Sequence, residues 1–207
     1  MLDRRAAIRT LLADRPADLF VVPGLGSTTY DLVSAGDDAR NFYLWGAMGG
    51  AAMIGLGLAL ARPDLRVAVI TGDGEMLMGL GSLATIGVQR PANLGLIVFD
   101  NGLYGETGSQ ASHTQAGVDL VGVARACGIP HVFDVADESG LEELAERLRG
   151  FDDAFFARVR IAGEEAPRVL PIRDGVELKL RFRRAVEAAR PASGDAPVRS
   201  GDAPVRP

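Results

Sequence analysis

Short apolar runs alternate with longer amphipathic ones along most of the chain, and this alternation is what most restricts the fold. The likeliest reading of the runs as strands places them at Leu19 to Val22, Asn41 to Trp45, Val67 to Thr71, Leu94 to Asp100, His131 to Val135 and Ala154 to Ile161. Helical periodicity falls between them, clearest over Arg4 to Ala13, Met48 to Ala61, Met76 to Val88, Leu120 to Cys127 and Ser139 to Leu148. Strands buried on both faces and separated by helices imply an α/β fold, a three-layer αβα arrangement around a mainly parallel central sheet. A length of 207 residues with 47% apolar content suits one such domain, assigned to residues 1–190.

Composition excludes several classes of function. The net charge of −5 is spread along the sequence with no basic stripe, which argues against nucleic acid as a partner. The longest apolar run, Ala51 to Ala61, is too short to span a bilayer, and the N-terminus lacks a signal-peptide core, so no membrane association is expected and the expected location is cytoplasmic. The single cysteine, Cys127, excludes an internal disulfide and reads as a buried structural thiol. Residues 175 to 189 read as a charged amphipathic helix. Residues 191–207 carry Gly-Asp-Ala-Pro-Val-Arg twice and are expected to be a disordered repeat tail.

The chemistry concentrates after the third run, in Thr71-Gly72-Asp73-Gly74-Glu75. Glycines between a buried strand and a helix let backbone N–H groups approach a phosphate, but a carboxylate among them would repel that anion. A divalent cation bridging the carboxylate and phosphate oxygens resolves the conflict. A Rossmann dinucleotide loop is the competing reading. It needs a third glycine where Leu77 stands, and its acidic residue belongs at the end of the next strand. Asn101 lies 28 residues after Asp73, at the end of the following strand, where a crossover brings it beside the first loop.

Gly-Asp-Gly followed at this interval by Asn at a strand end resembles the diphosphate-binding domain of thiamine diphosphate enzymes, over roughly residues 15 to 165. The resemblance implies thiamine diphosphate and magnesium as cofactors. Asp73, the Asn101 side chain and the Leu103 backbone carbonyl would bind the metal. Gly72, Gly74, Glu75, Tyr104 and Gly105 would surround the diphosphate, with Gly74 and Glu75 offering N–H groups. Upstream, Leu44-Trp45-Gly46-Ala47-Met48-Gly49 resembles the aminopyrimidine cradle of the decarboxylases, with Gly46 as a carbonyl acceptor and Met48 as a wedge beneath the two rings. Read alone, Met48 is better taken as a core residue at a helix start and Gly46 as a capping glycine, and the Gly-Asp-Gly context reverses that preference. The segment Pro23 to Thr28 resembles a second diphosphate-side loop containing Gly26 and Ser27, and Ser27 reads equally as a helix N-cap.

His113 is the nearby side chain suited to proton transfer near neutral pH, a catalytic candidate against a solvated loop histidine. The glutamate that activates the cofactor in this family lies on a separate pyrimidine-binding domain, and neither Glu75 nor Glu106 is placed to replace it. A pyrimidine-domain partner in a hetero-oligomer is therefore expected. The segments 79–86 and 100–110 are similar to the β subunit of sulfopyruvate decarboxylases and to phosphonopyruvate decarboxylases. The resulting expectation is a lyase subunit acting on a 2-oxo acid. Two alternatives remain at this point: a carboligase or oxoacid oxidoreductase subunit using the same cofactor, and a non-catalytic binding partner.

Overall fold

The computed structural model describes residues 1–163 and 166–189, so the repeat tail lies outside the described residues. The order of elements is α1 (Arg4–Leu12), β1 (Leu19–Pro23), α2 (Ser27–Ser34), α3 (Ala51–Ala61), β2 (Arg66–Gly72), α4 (Asp73–Met78), α5 (Ser82–Gln89) and β3 (Leu94–Asp100). A two-residue pair, β4 (Leu103–Tyr104) and β5 (Gln110–Ala111), follows, and then α6 (Leu120–Ala126), β6 (His131–Val135), α7 (Glu138–Arg149), β7 (Phe155–Arg160) and α8 (Gly175–Ala188). Asp3, Asp119, Asp137 and Asp174 accept first-turn N–H groups and so fix the starts of α1, α6, α7 and α8.

The main sheet has the order β1-β2-β3-β7-β6 and every pairing in it is parallel. Alternate residues of the strands feed two separate cores. Val21, Ala68, Ile70, Ile97 and Phe99 pack with α1, α2 and α7, whereas Val22, Val67, Val69, Leu96 and Val98 pack with α3, α4, α5 and α6. The architecture is therefore the expected three-layer one, with both faces of the sheet covered. Because all five strands point the same way, their carboxyl ends share one edge, the edge at which such sheets hold ligands.

The expected strand over Asn41 to Trp45 does not form. Asn41 makes one bridge with Val21, and then its buried amide is held by Arg15 and by the Tyr43 hydroxyl rather than by a ladder. The helix expected from Met48 begins at Ala51, because Ala47 and Gly49 take left-handed backbone angles of +59° and +90°. The helix expected over Met76 to Val88 is two helices broken at Gly79-Leu80-Gly81, and the first of them starts at Asp73 itself. α2 forms at Ser27, where a helix N-cap is one of the two readings. Cys127 is half-buried rather than buried.

Candidate functional site

Three strand ends converge on a single cavity. The loop after β1 contributes Leu25, Ser27 and Thr28, the turn after β2 contributes Gly72 to Glu75, and the segment after β3 contributes Asn101, Leu103, Tyr104, Gly105 and Glu106. Met48 reaches the same cavity, whose volume is about 70 Å³. The expected ligand Asp73 and the expected ligands Asn101 and Leu103 thus line one space, although 28 residues separate the first two in sequence.

Asp73 is 1% exposed. Its Oδ2 accepts hydrogen bonds from the Ser112 hydroxyl and, at 3.2 Å, from Thr114 Oγ1, while its Oδ1 has no side-chain partner. Thr114 Oγ1 is also 2.8 Å from Asp100 Oδ1, which accepts the Gly102 N–H at 3.0 Å. Burial raises the Asp73 pKa, the Ser112 hydroxyl opposes that rise, and nearby Asp100 adds to it. Asp73 is thus a buried, oriented carboxylate with, among the described residues, one oxygen free of side-chain partners. Ser112 and Thr114 had no signal in the sequence beyond lying in the loop after the motif.

Glu75 has a different part. Its carboxylate accepts the Leu25 N–H at 3.0 Å. Burial raises its pKa, with Thr71 and the N–H groups of Ala51, Leu25 and Gly49 opposing. Its Oε2 thus ties the β1 loop to the β2 turn. Any side chain at Gly24 would collide with this carboxylate. Gly74 is constrained from the other side, since a Cβ there would lie 2.5 Å from Tyr104 Cδ1. The Tyr104 ring lies over the first turn of α4, where Gly74 and Glu75 carry main-chain N–H groups with no partner inside the helix.

The remaining expected residues divide. Ser27 is the first residue of α2 and faces the cavity, while Gly26 occupies the cap at φ 74°, which corrects the reading of Ser27 as N-cap. Glu106 packs against Gly26. Gly46 is exposed and does not line the cavity. His113 is also exposed and outside the cavity wall, its Nδ1 2.9 Å from the Tyr104 hydroxyl, so it meets the cavity only through that ring. His131 lies on β6, away from the site, 3.8 Å from Asp153.

Residues 29–156 match the family model described as "Thiamine pyrophosphate enzyme, C-terminal TPP binding domain". The chain belongs to this family. A phosphonopyruvate decarboxylase of Streptomyces viridochromogenes is 38% identical over 98% of this chain and 51% of its own length. The β subunit of sulfopyruvate decarboxylase from Methanocaldococcus jannaschii is 43% identical over 62% of this chain and 66% of its own length. The chain thus spans half to two-thirds of these relatives. Benzoylformate decarboxylase of Polynucleobacter necessarius shares the fold, with a TM-score of 0.65 at 19% identity over 80% of this chain and 34% of the other.

For a thiamine pyrophosphate-binding domain the donor set fits magnesium: one carboxylate, one amide oxygen and one main-chain carbonyl, all hard oxygens, come from residues of one cavity wall. Among the described residues no group of three or more His, Cys, Asp or Glu gathers around a point. A metal held here therefore depends on phosphate and water oxygens for its other positions. Among the described residues, no helix is long and apolar enough to cross a membrane.

Proposed function

We propose that the chain is the cofactor-binding subunit of a thiamine diphosphate- and magnesium-dependent 2-oxo acid decarboxylase, with a sulfopyruvate- or phosphonopyruvate-like substrate. The observation that carries this reading is the meeting of Asp73, Asn101 and Leu103 with Met48 in one cavity at the carboxyl edge of a parallel sheet. The names of the relatives support the substrate class and the carboxy-lyase chemistry. Bound there, the cofactor supplies the electron sink that 2-oxo acid decarboxylation requires.

The chain's own residues supply binding and geometry. Asp73 and Asn101 would hold the metal through their side-chain oxygens and Leu103 through its carbonyl. The N–H groups of Gly74 and Glu75 would be offered to the diphosphate, with Tyr104 lining that end. Met48 supports the ring end. Tyr104 links the site to His113, which can exchange a proton with solvent from its exposed loop.

Among the described residues of this wall the glutamates are Glu75 and Glu106, and neither is placed to activate the cofactor. Glu75 is committed to Leu25, and Glu106 lies against Gly26. We therefore assign that group to a pyrimidine-binding partner subunit. The exposed Trp45, Met53, Leu60 and Met78 support a protein neighbour on the α3 side, because apolar side chains this large are costly to leave in water. The test is carbon dioxide release from sulfopyruvate and phosphonopyruvate by the chain together with its co-purifying partner, magnesium and thiamine diphosphate. Turnover that needs all four components supports the assignment. Nucleotide binding in place of thiamine diphosphate overturns it.

A further inference from the structure

Asp31, buried on α2, carries two arginines. Arg4 Nε lies 2.8 Å from its Oδ2 and Arg5 Nε lies 3.0 Å from its Oδ1. Burial raises the Asp31 pKa and both arginines oppose the rise, Arg5 more strongly. The two arginines share one buried carboxylate, with Asp3 also near it, so neither has Asp31 to itself. Arg5 is used structurally, since it also donates to the Pro167 carbonyl and lines no part of the cavity.

Arg4 is placed differently. Its side chain is 9% exposed, yet among the described residues its guanidinium donates no hydrogen bond, and its close approach to Asp31 is misaligned for one. It lines the cavity that holds Asp73 and Asn101, and also an adjoining recess with Ser27, Asn101, Gly105 and Arg168. Four carboxylates line the main cavity, those of Asp31, Asp73, Glu75 and Glu106, and Arg4 is the one cation among the described lining residues. Its Nε is the buried atom left without a hydrogen bond, and among the described residues its terminal N–H groups have no acceptor and are open to an anion.

We propose that Arg4 is a phosphate ligand, which takes the terminal phosphate of the bound cofactor and so makes the site select a diphosphate over a monophosphate. The inference rests on the cofactor reading above. Met48, at the ring end, lines the main cavity and not the recess, whereas Arg4 lines both and therefore marks the end farther from the rings. The guanidinium fork suits phosphate oxygens, and Asp31 holds it in place without consuming its terminal N–H groups.

Calorimetry on the full chain, with magnesium and either thiamine diphosphate or thiamine monophosphate, tests this. Arg4→Gln is expected to weaken diphosphate binding by about 10- to 100-fold and to leave monophosphate binding within about twofold. Because Arg4→Gln removes a partner from buried Asp31, the double variant Arg4→Gln/Asp31→Asn, which removes both charges of that pair and leaves an amide oxygen to accept from Arg5, is measured beside it. It must show the same selective loss with an unchanged melting profile. Equal loss for both ligands, or no loss, overturns the role of Arg4. Absence of diphosphate binding by the unsubstituted chain overturns the cofactor reading instead.

Discussion

At the Asp73 end of the cavity the polar groups are buried, oriented and cross-linked: Ser112 and Thr114 hold the carboxylate, Asp100 holds Thr114, and Glu75 ties the β1 loop to the β2 turn. At the Met48 end, Gly46 and Ala47 are exposed, and Trp45, Met53 and Met78 present apolar surface to solvent. The first end is finished by this chain alone, and the second has the character of a surface to be covered. On the proposed reading, one wall of a two-wall site is preorganised where charge must be fixed and left open where a partner would cover it.

The largest expected effect comes from the metal ligand. Asp73→Asn is predicted to weaken magnesium-dependent thiamine diphosphate binding by more than about 100-fold, since even the loss of a group that only orients a ligand costs about 10- to 100-fold. Titration calorimetry checks it, and unaltered binding would remove Asp73 from the metal site. Next, Met53→Asp places a charge on the exposed face of α3 and is predicted to weaken assembly with the partner by about 100-fold, read by analytical ultracentrifugation. The same variant leaves magnesium pyrophosphate binding unchanged, which separates the two ends. Ser112→Ala, which removes a hydroxyl from Asp73, is predicted to weaken metal-dependent binding by about tenfold without affecting assembly. The smallest effect is expected from Gly74→Ala: the Tyr104 ring must shift, which lowers stability by about 1–3 kcal/mol in thermal unfolding and loosens the diphosphate end.

The legible and illegible parts of the site differ by the same physics. Asp73 and Asn101 could be read because each follows a buried strand directly, and parallel strands joined by a crossover must bring their carboxyl ends together. The strands β3 and β6 were likewise legible to the residue, being short apolar runs bounded by turn residues. Ser112 and Thr114 lie in a long loop and Arg4 and Asp31 on two different helices, and no local periodicity fixes which of these side chains meet. The start of α3 was misplaced because the left-handed turn at Ala47 uses a residue that ordinarily favours a helix. The strand expected at Asn41 was lost to a buried side-chain network, a tertiary effect that overrides local preference.

The claim that this chain completes the diphosphate end but not the ring end is tested most directly by comparing two ligands on the isolated chain, magnesium pyrophosphate and magnesium thiamine diphosphate. The account predicts one site for each and affinities within about tenfold of each other, because the rings find only one of their two walls. Thiamine diphosphate binding more than about 100-fold tighter than pyrophosphate would contradict it, by placing a complete ring site on this chain.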